Sequence, residues 1–131
     1  MYIMRIDKKE IRKKGNGFLT DYRTIYRMSP RSTSPKLTKD FFLEVKGSET
    51  ISKNSYEYEC YFKDFVEAFN KLELDERILI YDKYIHFEKK DNITLYCKHN
   101  MSESTFYRQL SIAIIHFSEA YKQGVLLKIT R

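Results

Sequence analysis

The chain has no tryptophan, two cysteines, two prolines and four glycines in 131 residues, and each scarcity narrows what it can be. Cys60 and Cys97 form no C-x-x-C pair, so a reduced cytoplasmic chain is the simplest reading. The glycines make neither a P-loop nor a G-x-G-x-x-G turn. No apolar run approaches the roughly 18 residues of a membrane span. The opening MYIMRIDKKEIRKK lacks the apolar stretch of a signal peptide. Neither a membrane partner nor a cofactor is expected.

Apolar residues make up 42% of the chain and aromatics 15%, with 11 Tyr and 9 Phe. That is enough to bury a modest core without disulfides or metals. The length fits one domain, or a small domain with an arm. The net charge of +6 is unevenly distributed. Residues 1–46 hold 12 Lys/Arg against 5 Asp/Glu, residues 47–88 hold 5 against 10, and residues 89–131 hold 7 against 3. Two basic ends flank an acidic middle. Basic segments neutralise phosphates and release counterions, which favours nucleic acid. Many mildly basic proteins bind none, so charge alone leaves both readings open.

The apolar pattern predicts an all-α fold, a helical bundle with a basic amino-terminal arm and a polar linker. Residues 3–14 read as a short basic helix with Ile3, Ile6 and Ile11 on one side. Gly15-Asn16-Gly17 is expected to interrupt it. Phe18 to Met28 resumes the pattern, with Phe18, Tyr22, Ile25 and Tyr26 at helical spacing, and Ser29-Pro30 ends it. Residues 1–28 thus form the expected arm. Residues 29–55, rich in Ser, Thr, Lys and Pro, read as a linker or extended arm. Within it FFLEV (41–45) is an apolar island suited to docking as a short strand or turn. Residues 56–131 are expected to be helical. Tyr58, Tyr61, Phe62, Phe65, Val66 and Phe69 form an aromatic stripe at three-and-four spacing, read as core rather than cofactor box. Asp75-Glu76 is expected to open the next helix, capped by Asp75, with Ile78, Leu79, Tyr81 and Ile85 following.

Residues 91–123 carry the sharpest signal. A short helix over about 91–98 is predicted to run into the turn KHNM. Asn100 there is one of the few residue types besides glycine that tolerates the left-handed conformation. Ser102 is suited to cap a long second helix reaching about Gln123 and stopped by Gly124. Short helix, turn and capped second helix make the layout of a helix-turn-helix. At 100° per residue, Phe106, Leu110, Ala113, Phe117 and Ala120 share one face. Arg108 points away from it, with Ser104 and Ser111 beside it and Thr105 and Tyr107 on the flanks. Hydroxyls and an arginine near a helix amino terminus suit a DNA major groove, because arginine grips guanine and hydroxyls bond phosphates or base edges. Glu103 repels phosphate but is able to cap the helix or to accept from cytosine, and Lys98 and His99 are placed by the turn to reach a phosphate. The bland alternative is an ordinary solvated face. Ile112 and Ile115 fall outside the core stripe and suggest a second contact, with the amino-terminal helices or with a second subunit.

Three stretches resemble the ArpU-type regulators of Gram-positive phages and prophages. FLTDYRTIYRM (18–28) is similar to that family's amino-terminal helix. LELDERILIYDKYI (72–85) is similar to the helix leading into its DNA-binding part. NMSESTFYRQLSIAIIHFSEAY (100–121) is similar to its signature end. The same region is more distantly similar to the fourth region of sigma factors. The resemblance implies a transcriptional activator of phage late genes in the bacterial cytoplasm. It implies that Ser104, Thr105, Tyr107 and Arg108 read promoter DNA. Tyr96 stands where such segments usually carry Ala, and Asn100 where they carry Gly; the Gly15-Asn16-Gly17 break and the VLLKITR tail also depart from the pattern.

Other chemistry finds less support. Cys97-x-His99, with His86 or Cys60, falls short of a zinc signature. His116 is expected on the helix wall. No local motif supports a Cys-His nucleophile, so no enzymatic activity is expected. The expected partner is double-stranded promoter DNA, with the basic 1–46 segment adding phosphate contacts or touching RNA polymerase; a second copy of the chain is a further candidate. The rival reading is an interaction module that binds polymerase or another regulator without touching DNA. Single-stranded RNA binding through the tyrosines fits less well, because they sit at helical core spacing.

Overall fold

The computed structural model describes residues 7–30, 34–45 and 53–123. Ile3 and Ile6, the proposed stop at Gly124 and the VLLKITR tail lie outside these residues. As expected, the fold is helical, with one small hairpin.

Helix α1 (Lys8–Thr20) starts at Asp7, whose carboxylate accepts from the backbone N–H of Lys9 and Glu10. That satisfies two of the amino-terminal N–H groups that a helix leaves without partners. It does not break at Gly15-Asn16-Gly17 but runs on to Thr20, and the chain bends instead at Asp21 before α2 (Tyr22–Met28). The reason is tertiary. Gly15 is buried beside Ile114 and Ser118, and the close helix contact outweighs the roughly 1 kcal/mol that each glycine costs a helix. Ile11, Gly15 and Leu19, four residues apart, form the buried face.

The segment expected as a linker holds structure over its described part. Strand β1 (Lys36–Leu37) pairs antiparallel with β2 (Leu43–Glu44), Leu37 opposite Leu43. The island FFLEV thus supplies a strand, and Phe41 makes the turn with φ 63°. Two side chains dock the hairpin. Asn70 accepts from the Leu43 N–H at 2.9 Å and donates to the Leu43 carbonyl at 3.0 Å, replacing a missing third strand. Arg77, buried, donates to the carbonyls of Phe41, Leu72 and Asp40 and lies 4.0 Å from the centre of the Phe42 ring. A buried guanidinium needs such partners to offset its lost hydration.

Helix α3 (Lys53–Asn70) inserts Phe62, Phe65, Ala68 and Phe69 fully into the core, with Tyr58, Tyr61 and Val66 at its margin. Phe65 links the layers, its ring centre 4.6 Å from Tyr22 and 5.0 Å from Phe117. Helix α4 (Leu74–Ile80) begins two residues earlier than expected. Glu73, not Asp75, holds the cap, its N–H donating to the Glu76 carboxylate. Asp75 lies inside the first turn, where its charge still suits the helix dipole. A π-helical turn, Tyr81–Ile85, extends α4 and buries Asp82 and Tyr84. Such turns hold an extra residue and re-aim the side chains around it.

Helix α5 (Asn92–Lys98) is capped by Asp91, which accepts from the Thr94 N–H at 2.8 Å. Asn100 sits at φ 55°, as anticipated, and the Met101 N–H reaches back to the Tyr96 carbonyl, satisfying the end of α5. Helix α6 (Glu103–Ala120) follows, ending in a 3₁₀ turn over Tyr121–Gln123. The core therefore lies between α3 and α6, closed by α1, α2 and α4. Leu19, Tyr22 and Leu43 all belong to it, so the expected arm and linker share one core with the last helix. Among the described residues no helix is long and apolar enough to cross a membrane.

Candidate nucleic-acid interface

Helix α6 has two sides. Phe106, Leu110, Ala113, Ile114, Phe117 and Ser118 are buried; the expected stripe holds for the first four turns, while Ala120 is only half-buried. Ser102, Glu103, Ser104, Tyr107 and Arg108 are exposed, and Thr105 and Ser111 half-buried. The Ser102 hydroxyl accepts from the Thr105 N–H at 3.2 Å and donates to the Thr105 hydroxyl at 2.9 Å. The first turn of the helix is thus fixed by its own hydroxyls. Among the described residues Arg108 has no hydrogen-bond or ion-pair partner, so its five donors face solvent. The half-buried Tyr96 lies against Phe106 and takes up the α5–α6 contact that a smaller residue usually fills.

Two of the expected contacts are held from behind. The Tyr107 hydroxyl accepts from the Asn92 amide at 3.0 Å, and the same amide's oxygen accepts from Lys83 Nζ at 2.7 Å. The Ser111 hydroxyl accepts from Arg12 Nη1 at 3.4 Å. Both bonds belong to a groove of about 580 Å³ between α1, the π-helical turn and α6. Lys9, Arg12, Lys13 and Lys83 line it together with Asn16, Tyr84, Asn92, Tyr107 and Ser111, and no acid does. Burial, with help from Lys89 and Arg23, pulls the Lys83 ammonium below its ordinary value.

The turn residues behave differently from expectation. His99 does not face a phosphate site. Its Nε2 lies 2.9 Å from the buried carboxylate of Asp82, and its side chain is only 15% exposed. Lys98 Nζ meets the same carboxylate oxygen at 3.0 Å, with half its side chain in solvent. The cause is Asp82, which the π-helical turn holds inside the fold, where a carboxylate requires a counter-charge or donors. Of the expected site, Ser102 through Ser111 are thus brought together, while His99 is drawn away and Lys98 is engaged by an acid.

The second apolar face of α6 also differs. Helix α1 meets α6 through Ile114 and Ser118, whereas Ile112 lies beside Glu73, Asp75, Glu76 and Gln109 near α4, 45% exposed. His116, half-exposed, bonds the Glu76 carboxylate across that same seam. Among the described residues no three His, Cys, Asp or Glu side chains gather as a metal site. His86 is turned to the backbone of Glu88, and Cys97 is exposed.

The groove residues Lys9, Arg12, Lys13, Lys83 and Asn92 were not singled out individually, although the first three lie in the basic 1–46 segment expected to add phosphate contacts or to touch RNA polymerase. The first three were within reach of the sequence. They stand at i, i+3 and i+4 in KKEIRKK, on one face of a helix, opposite Ile11 and Gly15. Lys83 and Asn92 were not, since only the tertiary fold sets them beside Tyr107. No protein-family model matches the chain, and no curated protein or solved structure does.

Proposed function

We propose that α5, the turn over 99–102 and α6 act as a helix-turn-helix that lays the first turns of α6 in the major groove of duplex DNA. The chain is then a transcriptional regulator working at promoter DNA in the bacterial cytoplasm, with no catalytic role. The resemblance to ArpU-type regulators adds the expectation that it activates late phage genes. One observation carries the reading: Arg108, exposed and without a partner among the described residues, stands among Ser104, Thr105 and Tyr107 at the capped start of an 18-residue helix whose opposite side is core. A guanidinium so placed is able to bond guanine at two atoms, while the neighbouring hydroxyls and helix terminus meet the backbone.

The test is selection from a random-sequence duplex library, followed by binding measurements on the enriched site. A defined motif is expected to emerge. Arg108→Ala should then cost about 1–3 kcal/mol, roughly 5- to 150-fold in affinity, and relax one base position. Failure to enrich any sequence, or undiminished affinity and selectivity in Arg108→Ala, would overturn the assignment and favour an interaction module that leaves DNA untouched.

A further inference from the structure

We propose that the groove between α1 and α6 holds the phosphate backbone of the same duplex, with Lys9, Arg12 and Lys13 of α1 and Lys83 of the π-helical turn acting as one clamp. The inference rests on the reading of α6 given above and adds a second, sequence-independent contact that sets how the helix sits on the DNA.

Four features support it. The cations stand together and, among the described residues, no acid lines the groove. The two acids near the start of α1 are engaged elsewhere, Asp7 as helix cap and Glu10 with Lys14 at 3.7 Å. The clamp is also rigid relative to the reading helix. Gly15 lets α1 lie directly on Ile114 and Ser118, so the helix that carries Lys9, Arg12 and Lys13, all within two turns of Gly15, cannot swing as a loose arm would. Binding then orders side chains but no backbone. Groove and reading face share walls as well. Lys83, Asn92 and Tyr107 form a continuous hydrogen-bonded chain, and Arg12 reaches Ser111. A phosphodiester lying in the groove therefore adjoins the bases in front of Arg108. A lipid surface fits less well, because the apolar side of α1 is buried against the core and leaves no oily face to insert.

The experiment measures binding to the selected duplex and to a scrambled one across about 50–200 mM salt, by fluorescence anisotropy. Each lost phosphate contact lowers the slope of log affinity against log salt by about 0.9. The variant Lys9→Gln/Arg12→Gln/Lys13→Gln should flatten the slope by about 2.7, and Lys83→Gln by about 0.9. Both should weaken the two duplexes by the same factor, leaving selectivity intact. Lys36→Gln/Lys39→Gln/Lys63→Gln removes equal charge from the hairpin and α3, which do not line the groove, and should leave the slope nearly unchanged. Lys9, Arg12 and Lys13 are exposed, so helicity should survive and circular dichroism checks it. If the α1 variant keeps the wild-type slope, or the control triple flattens it as much, the clamp is wrong. The reading of α6 still stands in that case, provided Arg108→Ala loses selectivity. If the wild-type chain binds neither duplex, both proposals fail.

Discussion

Gly15 and Gly17 lie two residues apart in one helix, yet alanine should act in opposite directions at the two. At Gly17 an added methyl meets nothing within 4 Å, and the backbone is helical. Alanine there restricts the unfolded chain and improves helix propensity, so Gly17→Ala should stabilise by about 0.4–1 kcal/mol. At Gly15 the methyl would lie 2.7 Å from Ile114 Cγ2 and closer still to Ser118 Oγ. Ile114 is β-branched and held in one rotamer by its helix, and Ser118 is buried with its hydroxyl donating to the Ile114 carbonyl. The helices must therefore separate, at a typical overpacking cost of about 1–3 kcal/mol. Set against the propensity gain, Gly15→Ala should destabilise by about 1 kcal/mol. The two variants should then differ by about 2 kcal/mol, on the order of 8 °C in Tm for a chain of this size. Thermal unfolding followed by circular dichroism reads the difference. Adding Ser118→Ala to Gly15→Ala should recover part of the loss, because it removes the nearest atom but not the Ile114 methyl. Equal stabilisation by both single alanines would refute the α1–α6 contact, and the clamp would lose its rigidity with it.

Asn70→Ala should cost about 2 kcal/mol, because it leaves the N–H and carbonyl of the buried Leu43 strand without their partners. Hydrogen exchange at Leu43 should quicken well before that of α3; unchanged protection there would show that the hairpin docks by other means. At alkaline pH the core phenols should limit stability. Burial pushes Tyr22, Tyr61 and Tyr84 up, and Tyr121 up to about 12. The folded state holds these protons more tightly than the unfolded one. Their contribution is therefore fully present below the ordinary phenol value near 10. It falls as pH rises from there through the folded values. Tyrosinate absorbance should rise in two stages, the later one together with loss of helix. A single wave near pH 10 for all 11 tyrosines, with helix retained, would contradict the core described.

What the sequence disclosed was local. The left-handed Asn100, the cap at Ser102 and the outward Arg108 each depend on a few neighbouring residues, so their types and spacing sufficed. The aromatic stripe of α3 was legible for the same reason. Long-range compensation was not. Two glycines in one turn argue against a helix unless α6 lies beside it, and nothing near Gly15 announces Ser118. FFLEV was legible as a strand or turn, but its pairing with Lys36–Leu37 was hidden in Ser/Thr/Pro-rich sequence because the hairpin's anchors, Asn70 and Arg77, come from later helices. His99 read as a phosphate contact because the buried acid that claims it, Asp82, is on another element.

The joining of the first described helix to the last has a consequence for how the molecule is born. Arg12 and its partner Ser111 are 99 residues apart, and translation covers that distance in about 5–20 s at roughly 5–20 residues per second. Through that interval a nascent chain carries Gly15 without Ile114 and Ser118, the residues it rests on. The pairing that seats it waits until α6 has left the ribosome, so a chain cut short before α6 leaves α1 without its berth.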